Sequence, residues 1–219
     1  MSDLFCPATL VVARHGSATY DAVGVASDDG GWLTEVGRRQ AADLAAGLAD
    51  RRVAAIWCSD MSRAVQTAEI AASVLRVPVR VRSGLREASV GDLAGRSDGL
   101  GLFDSVFLRW LDGDLDASAP SAETGGDVVA RMRTELESAA DQFRGETVLI
   151  VSHGGAIGIT LPRLASNVPA DYARGRVVGN CATCEVSVDA DGWVLRTWAG
   201  EPTVRQPSAG RPVPPSCPS

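Results

Sequence analysis

The first apolar run of the chain ends in a short polar segment. Residues 10–13 read Leu-Val-Val-Ala, and Arg14, His15 and Gly16 follow at once. A short apolar run of this kind predicts a buried β-strand. In an α/β sheet, side chains at the carboxyl end of a strand border the crevice in which ligands bind. The run therefore predicts a sheet with a ligand site around His15.

A second histidine repeats this arrangement far along the chain. The apolar run 147–151 leads into His153, which a glycine follows, and the chain contains only two histidines. Because parallel strands end at the same edge of a sheet, both imidazoles are predicted to share one site. Arg63 and Glu87 follow two other predicted strands and add polar side chains to this edge.

Helical and extended patterns alternate along the chain. The predicted strands are 9–13, 53–58, 78–82, 147–151, 184–189 and 193–199, and the predicted helices are 35–50, 62–75, 102–111, 127–143 and one that ends near residue 164. This order predicts an α/β fold: a three-layer sandwich with a mainly parallel central sheet, an antiparallel edge hairpin and a small lid insertion. We expect one domain over residues 1–200, with the lid at about 100–126. Residues 201–219 contain six prolines and are predicted to be a disordered tail.

Composition excludes several classes of partner. The net charge of −6 and a pI near 5.0 argue against a general nucleic-acid or anionic-membrane binder. Five scattered cysteines do not resemble a disulfide framework and fit a reducing compartment. The pair Cys181 and Cys184 is weak as a metal or redox motif and is interpreted as a loop residue and a strand residue. With no secretory signal or membrane-length apolar segment, we expect a cytoplasmic protein.

The polar residues at the sheet edge suit the chemistry of a phosphate ester. The guanidinium groups of Arg14 and Arg63 can present paired donors to phosphoryl oxygens. A neutral imidazole can attack phosphorus, while a carboxylic acid protonates the leaving oxygen and later activates water. This chemistry needs no cofactor or metal ion. Arg131 and Arg133, beside the apolar stripe of the 127–143 helix, are predicted to be solvated.

Several segments in order resemble one known family, the histidine phosphatase superfamily, which is also called the phosphoglycerate mutase-like family. The matching segments are Arg14-His15-Gly16, residues 33–41, residues 59–68, residues 85–87 followed by 91–95, and residues 151–155. The resemblance covers roughly residues 9–198, and the ordered set is far more specific than any single triplet.

The resemblance implies a role for each matching residue. His15 would be the nucleophile that becomes phosphohistidine, Glu87 the proton donor, and Arg14, Arg63 and His153 the phosphate clamp. Gly16, Ser17, Asp21 and Gly154 complete the predicted phosphate and substrate site, although Ser17 and Ser152 either bond phosphate or cap a turn. A neutral His15 beside a protonated His153 requires environments that push the two pKa values apart. Asp21 stands where the family often has Asn, and an ionised Asp cannot donate to phosphate.

The resemblance favours a metal-independent phosphomonoesterase that acts on a small phosphorylated metabolite through phosphohistidine. Residues 88–91 lack the longer pattern of the mutase branch, which favours hydrolysis over phosphoryl shuttling. The alternatives are a phosphoglycerate-type phosphomutase, a catalytically weak protein that binds a phosphorylated ligand, and a two-histidine metal hydrolase. Expected partners are the phosphorylated substrate or inorganic phosphate, and a homodimer is left open. The predicted lid, with Phe103, Phe107 and Trp110, is expected to set substrate choice.

Overall fold

The structure, a computed structural model, describes residues 6–20, 25, 27–28 and 30–203. Its strands and α-helices alternate as the sequence pattern predicts. In chain order they are β1 Ala8–Arg14, β2 Ala18–Thr19, β3 Trp32–Leu33, α1 Glu35–Ala46, β4 Val53–Cys58, α2 Ser62–Leu75, β5 Val79–Val81, α3 Gly99–Leu111, α4 Gly125–Gln142, β6 Thr147–Ser152, α5 Gly154–Leu164, β7 Thr183–Asp189, β8 Gly192–Trp198 and β9 Glu201–Pro202.

The central sheet has the strand order β5-β4-β6-β1-β7-β8-β9. Strands β5, β4, β6 and β1 are parallel to one another. Strand β7 pairs antiparallel with β1 and forms a hairpin with β8. In the register of β1 and β6, Arg14 lies opposite Ser152. His15 and His153 are the next residues on the two strands, so they leave the sheet side by side. The predicted common edge is confirmed.

Helices cover both faces of the sheet because side chains alternate along each strand. Val11 and Ala13 of β1 pack in one apolar cluster with residues of α1 and α2. Leu10 and Val12 pack in the other cluster, with residues of α3, α4 and α5. This arrangement confirms the predicted α/β fold with a mainly parallel central sheet and an antiparallel edge pair.

Local signals explain several element boundaries. The Thr34 hydroxyl accepts a hydrogen bond from the Gly37 N–H at 3.0 Å and caps the start of α1, as a helix N-cap residue does. The helix ends at Ala46 rather than near residue 50, and a short 3₁₀ turn, Ala49–Arg51, follows it. None of the described helices is long and apolar enough to cross a membrane.

The ordered chain extends past the predicted start of the tail. Ala199 and Gly200 adopt positive φ angles of 51° and 88°, which turn the chain back so that β9 pairs with β8. The boundary at residue 201 is therefore wrong by at least three residues, since Thr203 also donates a backbone hydrogen bond to the carbonyl of Arg196 at 2.9 Å. The remainder of the predicted tail, 204–219, lies outside the described residues.

Candidate active site

The main chain of His15 is held on both sides. Its N–H donates to the carbonyl of Ser152 at the end of β6, at 3.0 Å. Its carbonyl accepts from the side-chain amide of Asn180 at 3.0 Å. Only 3% of His15 is exposed. The carboxyl ends of two strands and the loop before β7 therefore fix this residue, and Asn180 is a contributor that sequence reasoning missed.

The hydrogen bonds of the His15 ring define its tautomer. Nδ1 lies 2.8 Å from the carbonyl oxygen of Gly16 and must donate to it, whereas Nε2 accepts from Arg63 Nε at 3.1 Å. Burial lowers the pKa of His15 to about 3, against the opposing Gly16 hydrogen bond and with help from the charges of Arg63 and Arg14. The imidazole is therefore neutral near pH 7 and carries a lone pair on Nε2, as a nucleophile requires.

Two arginines flank this imidazole and line a cavity of about 530 Å³ with it. Arg63, in the first turn of α2, is only 4% exposed and also donates to the carbonyl of Gly30 at 2.7 Å. Arg14, the last residue of β1, donates from one terminal nitrogen to the carbonyl of Val178 at 3.1 Å. The buried Nε of Arg14 has no hydrogen-bond partner among the described residues. Both side chains can therefore present donors to an anion in the cavity.

The Glu87 carboxyl group lies over the N-terminus of α5. One oxygen accepts from the N–H of Gly155 at 2.9 Å, and the other accepts from those of Ala156 at 2.7 Å and Ala88 at 3.0 Å. A Cβ atom at position 155 would lie only 2.8 Å from that second oxygen, so a side chain there would displace the carboxyl group. Glu87 and the predicted site residue Gly154 both line the cavity that contains His15.

His153 lies behind His15 and is wholly buried. The two ring centroids are 5.1 Å apart, and His153 Nε2 is 2.9 Å from the hydroxyl oxygen of Ser59. Its Nδ1 has no hydrogen-bond partner in the described part of the chain. Burial is the main cause that lowers the pKa of His153 well below its ordinary value, and the positive charge of Arg63 lowers it further. The expected protonated His153 beside a neutral His15 is therefore not found in the protein alone, because both rings are buried beside the same cations.

Three predicted phosphate ligands, Gly16, Ser17 and His153, are not among the described residues that line the cavity. The N–H of Gly16 donates to the Thr67 hydroxyl at 3.0 Å, and that of Ser17 donates to the Gln40 side chain at 2.8 Å. These bonds tie the loop after β1 to α2 and α1. Asp21 lies outside the described residues.

Ser152 was predicted either to bind phosphate or to cap a turn. In the structure its side chain connects two segments of the fold. Its buried hydroxyl donates to the carbonyl of Leu85 at 2.8 Å. This bond joins the end of β6 to the short 3₁₀ turn, Ser83–Leu85, that precedes the segment carrying Glu87.

Arg131 is the principal supporting residue that sequence reasoning missed. Its side chain is 20% exposed and donates to both carboxylate oxygens of Glu123 at 2.6 and 2.9 Å. It also donates to three main-chain carbonyls of segment 84–87, including that of Glu87 at 3.0 Å. The prediction that Arg131 is solvated is therefore wrong. The available signal was its position three residues after the core residue Val128, which places both on one helical face.

The outer part of the cavity is walled by α3 and by the loop that follows α5. Leu100, Phe103 and Phe107 project from α3, within the predicted lid region. Ala173 and residues 176–178 line the cavity from the loop that follows α5. Apolar side chains predominate here, whereas charged groups predominate at the floor beside His15.

The two cysteines of the Cys-x-x-Cys motif are free thiols. Cys181 lies in the loop before β7 and Cys184 lies within β7, which are the positions that the sequence predicts. Burial raises the pKa of Cys181 to about 11 and that of Cys184 to about 12. Across the described residues, no group of three or more His, Cys, Asp or Glu side chains is arranged to hold a metal ion.

Comparisons with known proteins agree with this geometry. A curated relative from Erwinia tasmaniensis, named "Probable phosphoglycerate mutase GpmB", is 28% identical over 193 residues, which are 87% of this chain and 89% of the relative. The structure of mycobacterial glucosyl-3-phosphoglycerate phosphatase superposes with a TM-score of 0.73 at 28% identity and covers 87% of this chain and 98% of that one. That phosphatase has also been solved with inorganic phosphate.

A third similar protein is YhfR of Bacillus stearothermophilus, with a TM-score of 0.74, 26% identity and coverage of 90% of this chain and 98% of that one. The family model of the histidine phosphatase superfamily, branch 1, matches residues 10–200. This match spans most of the sheet, the helices on both of its faces and every candidate catalytic residue. The chain therefore belongs to the histidine phosphatase superfamily.

Proposed function

We propose that this protein is a metal-independent phosphomonoesterase that hydrolyses a small phosphorylated metabolite in the cytoplasm through a phosphohistidine at His15. The observation that carries the proposal is the state of the His15 ring. It is neutral, its Nε2 lone pair lies against Arg63 Nε, and Glu87 lines the same cavity. A nucleophile, an anion clamp and a proton carrier are thus present together.

The proposed reaction has two chemical steps. In the first, His15 Nε2 attacks phosphorus, the ester P–O bond breaks, and the leaving oxygen takes a proton from the protonated carboxyl group of Glu87. In the second, Glu87 accepts a proton from water, whose oxygen attacks the phosphohistidine and releases inorganic phosphate. The guanidinium groups of Arg14 and Arg63 stabilise the charge on the transferring oxygens in both steps.

His153 has a supporting role in this proposal. Its Nε2 is engaged with Ser59, which leaves Nδ1 for the transferring group. A phosphoryl dianion beside the ring would favour the protonated imidazole, opposing the effects of burial and of Arg63. His153 would therefore be protonated only in the complex, because the protein alone favours the neutral ring.

The cavity favours hydrolysis over phosphoryl shuttling. A phosphoglycerate mutase must hold a second anionic group, which calls for cations besides those that bind the phosphoryl group. Apart from Arg14 and Arg63, Arg176 is the only arginine lining the described part of the cavity. It donates to the carbonyl of Tyr172 and lies 4.5 Å from the centre of that ring. Asp104 lines the same cavity and would repel a second anion.

Phosphate release from p-nitrophenyl phosphate and from a panel of phosphate esters tests the proposal. We expect hydrolysis by the native protein, loss of activity in His15→Ala, and a strong reduction in Arg63→Ala. Arg133→Ala is the matched control because it removes a guanidinium from the exposed face of α4. Acid quenching during turnover should trap less phosphohistidine than alkaline quenching, since the N–P bond is labile in acid.

Four results would contradict the proposal. The first is a rate in His15→Ala equal to that of the native protein. The second is loss of activity with a chelator, which would indicate the metal hydrolase. The third is isomerisation of phosphoglycerates without release of free phosphate, which would identify a mutase. Tight binding of a phosphorylated ligand without turnover would identify a binding protein.

A further inference from the structure

The outer wall of the cavity differs in chemistry from its floor. Leu100, Phe103 and Phe107 line it from α3, and Val177 and Val178 line it from the facing loop. The groups that bind the phosphoryl oxygens lie deeper, beside His15. A phosphate ester that enters with its phosphoryl group at the floor must therefore place its organic group against apolar side chains.

The aromatic side chains of this wall are supported from behind. The rings of Phe103 and Phe107 meet the indole of Trp110 edge to face, with centroids 5.7 and 5.9 Å away. Trp110 is wholly buried, and its N–H donates to the carbonyl of Ala117 at 2.8 Å. A Cβ atom at Gly158 of α5 would lie 3.4 Å from the tip of Phe107, so that ring packs closely against α5. The wall is a pre-formed surface.

Two apolar side chains of this wall are exposed. Val177 is 81% exposed and Leu100 is 45% exposed, and both line the same cavity. A single exposed apolar residue is common on a protein surface. Several exposed apolar residues that line the same cavity are typical of a ligand-binding groove. An apolar organic group seated between them would remove both from water.

The polar groups in this part of the cavity are poorly suited to a sugar or a second anion. Arg176 is bonded and stacked on Tyr172, and Asp104 carries a negative charge. A polyhydroxylated group needs several convergent donors and acceptors, because each hydroxyl taken from water without a partner weakens binding. The described lining of the outer cavity offers mainly carbon atoms instead.

We infer that the substrate class is a phosphate monoester whose organic group is apolar, aromatic or branched aliphatic, with Phe103 and Phe107 as specificity-determining residues. This inference rests on the proposed phosphatase activity. It excludes phosphosugars and phosphoglycerates as preferred substrates.

A pair of substrates with matched leaving groups tests the inference. 2-Phenylethyl phosphate and glycerol 3-phosphate both release a primary alcohol, so a difference in kcat/KM reports how the organic group is bound. We expect the native protein to prefer 2-phenylethyl phosphate by at least about tenfold, as burial of a phenyl ring against apolar side chains predicts. Phe107→Ala should lower kcat/KM for 2-phenylethyl phosphate about tenfold more than it lowers kcat/KM for glycerol 3-phosphate.

Two further variants keep the test decisive. Leu108→Ala is the matched control, because Leu108 lies on the same helix, is 49% exposed and is absent from the cavity lining. Val177→Ser changes an exposed residue and should lower the preference for 2-phenylethyl phosphate by a few-fold without affecting folding. It therefore tests the wall even if Phe107→Ala fails to fold.

The outcomes separate the inference from the function on which it rests. A preference that is lost in Phe107→Ala or reduced in Val177→Ser, and retained in Leu108→Ala, supports the inference. Equal or faster hydrolysis of glycerol 3-phosphate by the native protein overturns it while leaving the phosphatase intact. Release of phosphate from neither ester, nor from any other in the panel, overturns the proposed function as well.

Discussion

Acidification should destabilise this protein through its buried histidines. The pKa of His15 is about 3 in the folded protein because of burial, whereas an unfolded chain has the ordinary value of about 6.5. Between these values the unfolded imidazole binds a proton and the folded one does not. The free energy of unfolding therefore falls as pH falls below about 6.5, and this contribution is fully present above that value.

The magnitude follows from the unfolded pKa alone. About 1.5 pH units separate pH ~5 from the unfolded value of about 6.5, and each unit corresponds to about 1.4 kcal/mol, so His15 contributes a loss of about 2 kcal/mol at pH ~5. Because the folded pKa of about 3 lies well below pH ~5, the folded protein binds almost no proton at His15 at that pH. His153 acts in the same direction, because burial lowers its pKa too.

Urea unfolding of the native protein and of His15→Asn at pH ~7.5 and pH ~5 measures the effect. The chain has only two histidines, so few other groups titrate in this interval. We expect the variant to lose about 2 kcal/mol less than the native protein between the two pH values. An equal pH dependence in the two proteins, with unchanged m-values, would refute the assigned burial of His15.

Three further predictions concern the groups that support the site. Arg131→Met should lower the free energy of unfolding by about 2–4 kcal/mol in urea titrations, because it leaves a carboxylate and three carbonyls without their donor, whereas Arg133→Met should change it by less than about 0.5 kcal/mol. Gly155→Ala should reduce kcat at least about tenfold with little change in Tm, because the new Cβ displaces the Glu87 carboxyl group, and an unchanged kcat would contradict that contact. Thr67→Val should cost about 1–3 kcal/mol of stability in the same urea assay, because its buried hydroxyl bridges α2 and the loop after β1; a loss below about 0.5 kcal/mol would contradict this.

Much of the fold follows from local patterns. Strand β4 and helix α2 have the predicted bounds, 53–58 and 62–75, because apolar periodicity and flanking polar residues specify both ends. The common edge for His15 and His153 also follows, since it depends only on both strands being parallel. Strand β9 was missed because two residues, one of them a proline, carry no periodicity, and their pairing depends on the turn at Ala199 and Gly200.

The environment of each site residue could not be predicted in the same way. The sequence shows that Gly16 and Ser17 directly follow the candidate nucleophile. It does not show that their N–H groups donate to Thr67 and Gln40, which lie on two different helices. Likewise, a clamp role for His153 says nothing about the depth of its burial. Long-range packing decides which polar atoms are left for a ligand and which ring keeps a proton.

The arginines show why residue type alone does not identify the function of a side chain. All 21 basic residues of this chain are Arg, so partners rather than composition distinguish their functions. Arg131 gives five hydrogen bonds to Glu123 and to segment 84–87, and it acts as a brace for the main chain. Arg176 is stacked on Tyr172 at the outer wall. Arg14 keeps a buried Nε without a partner among the described residues, beside a histidine whose proton it repels. An unsatisfied buried donor is costly unless a ligand accepts from it, and this supports the proposal that the phosphoryl group binds beside Arg14.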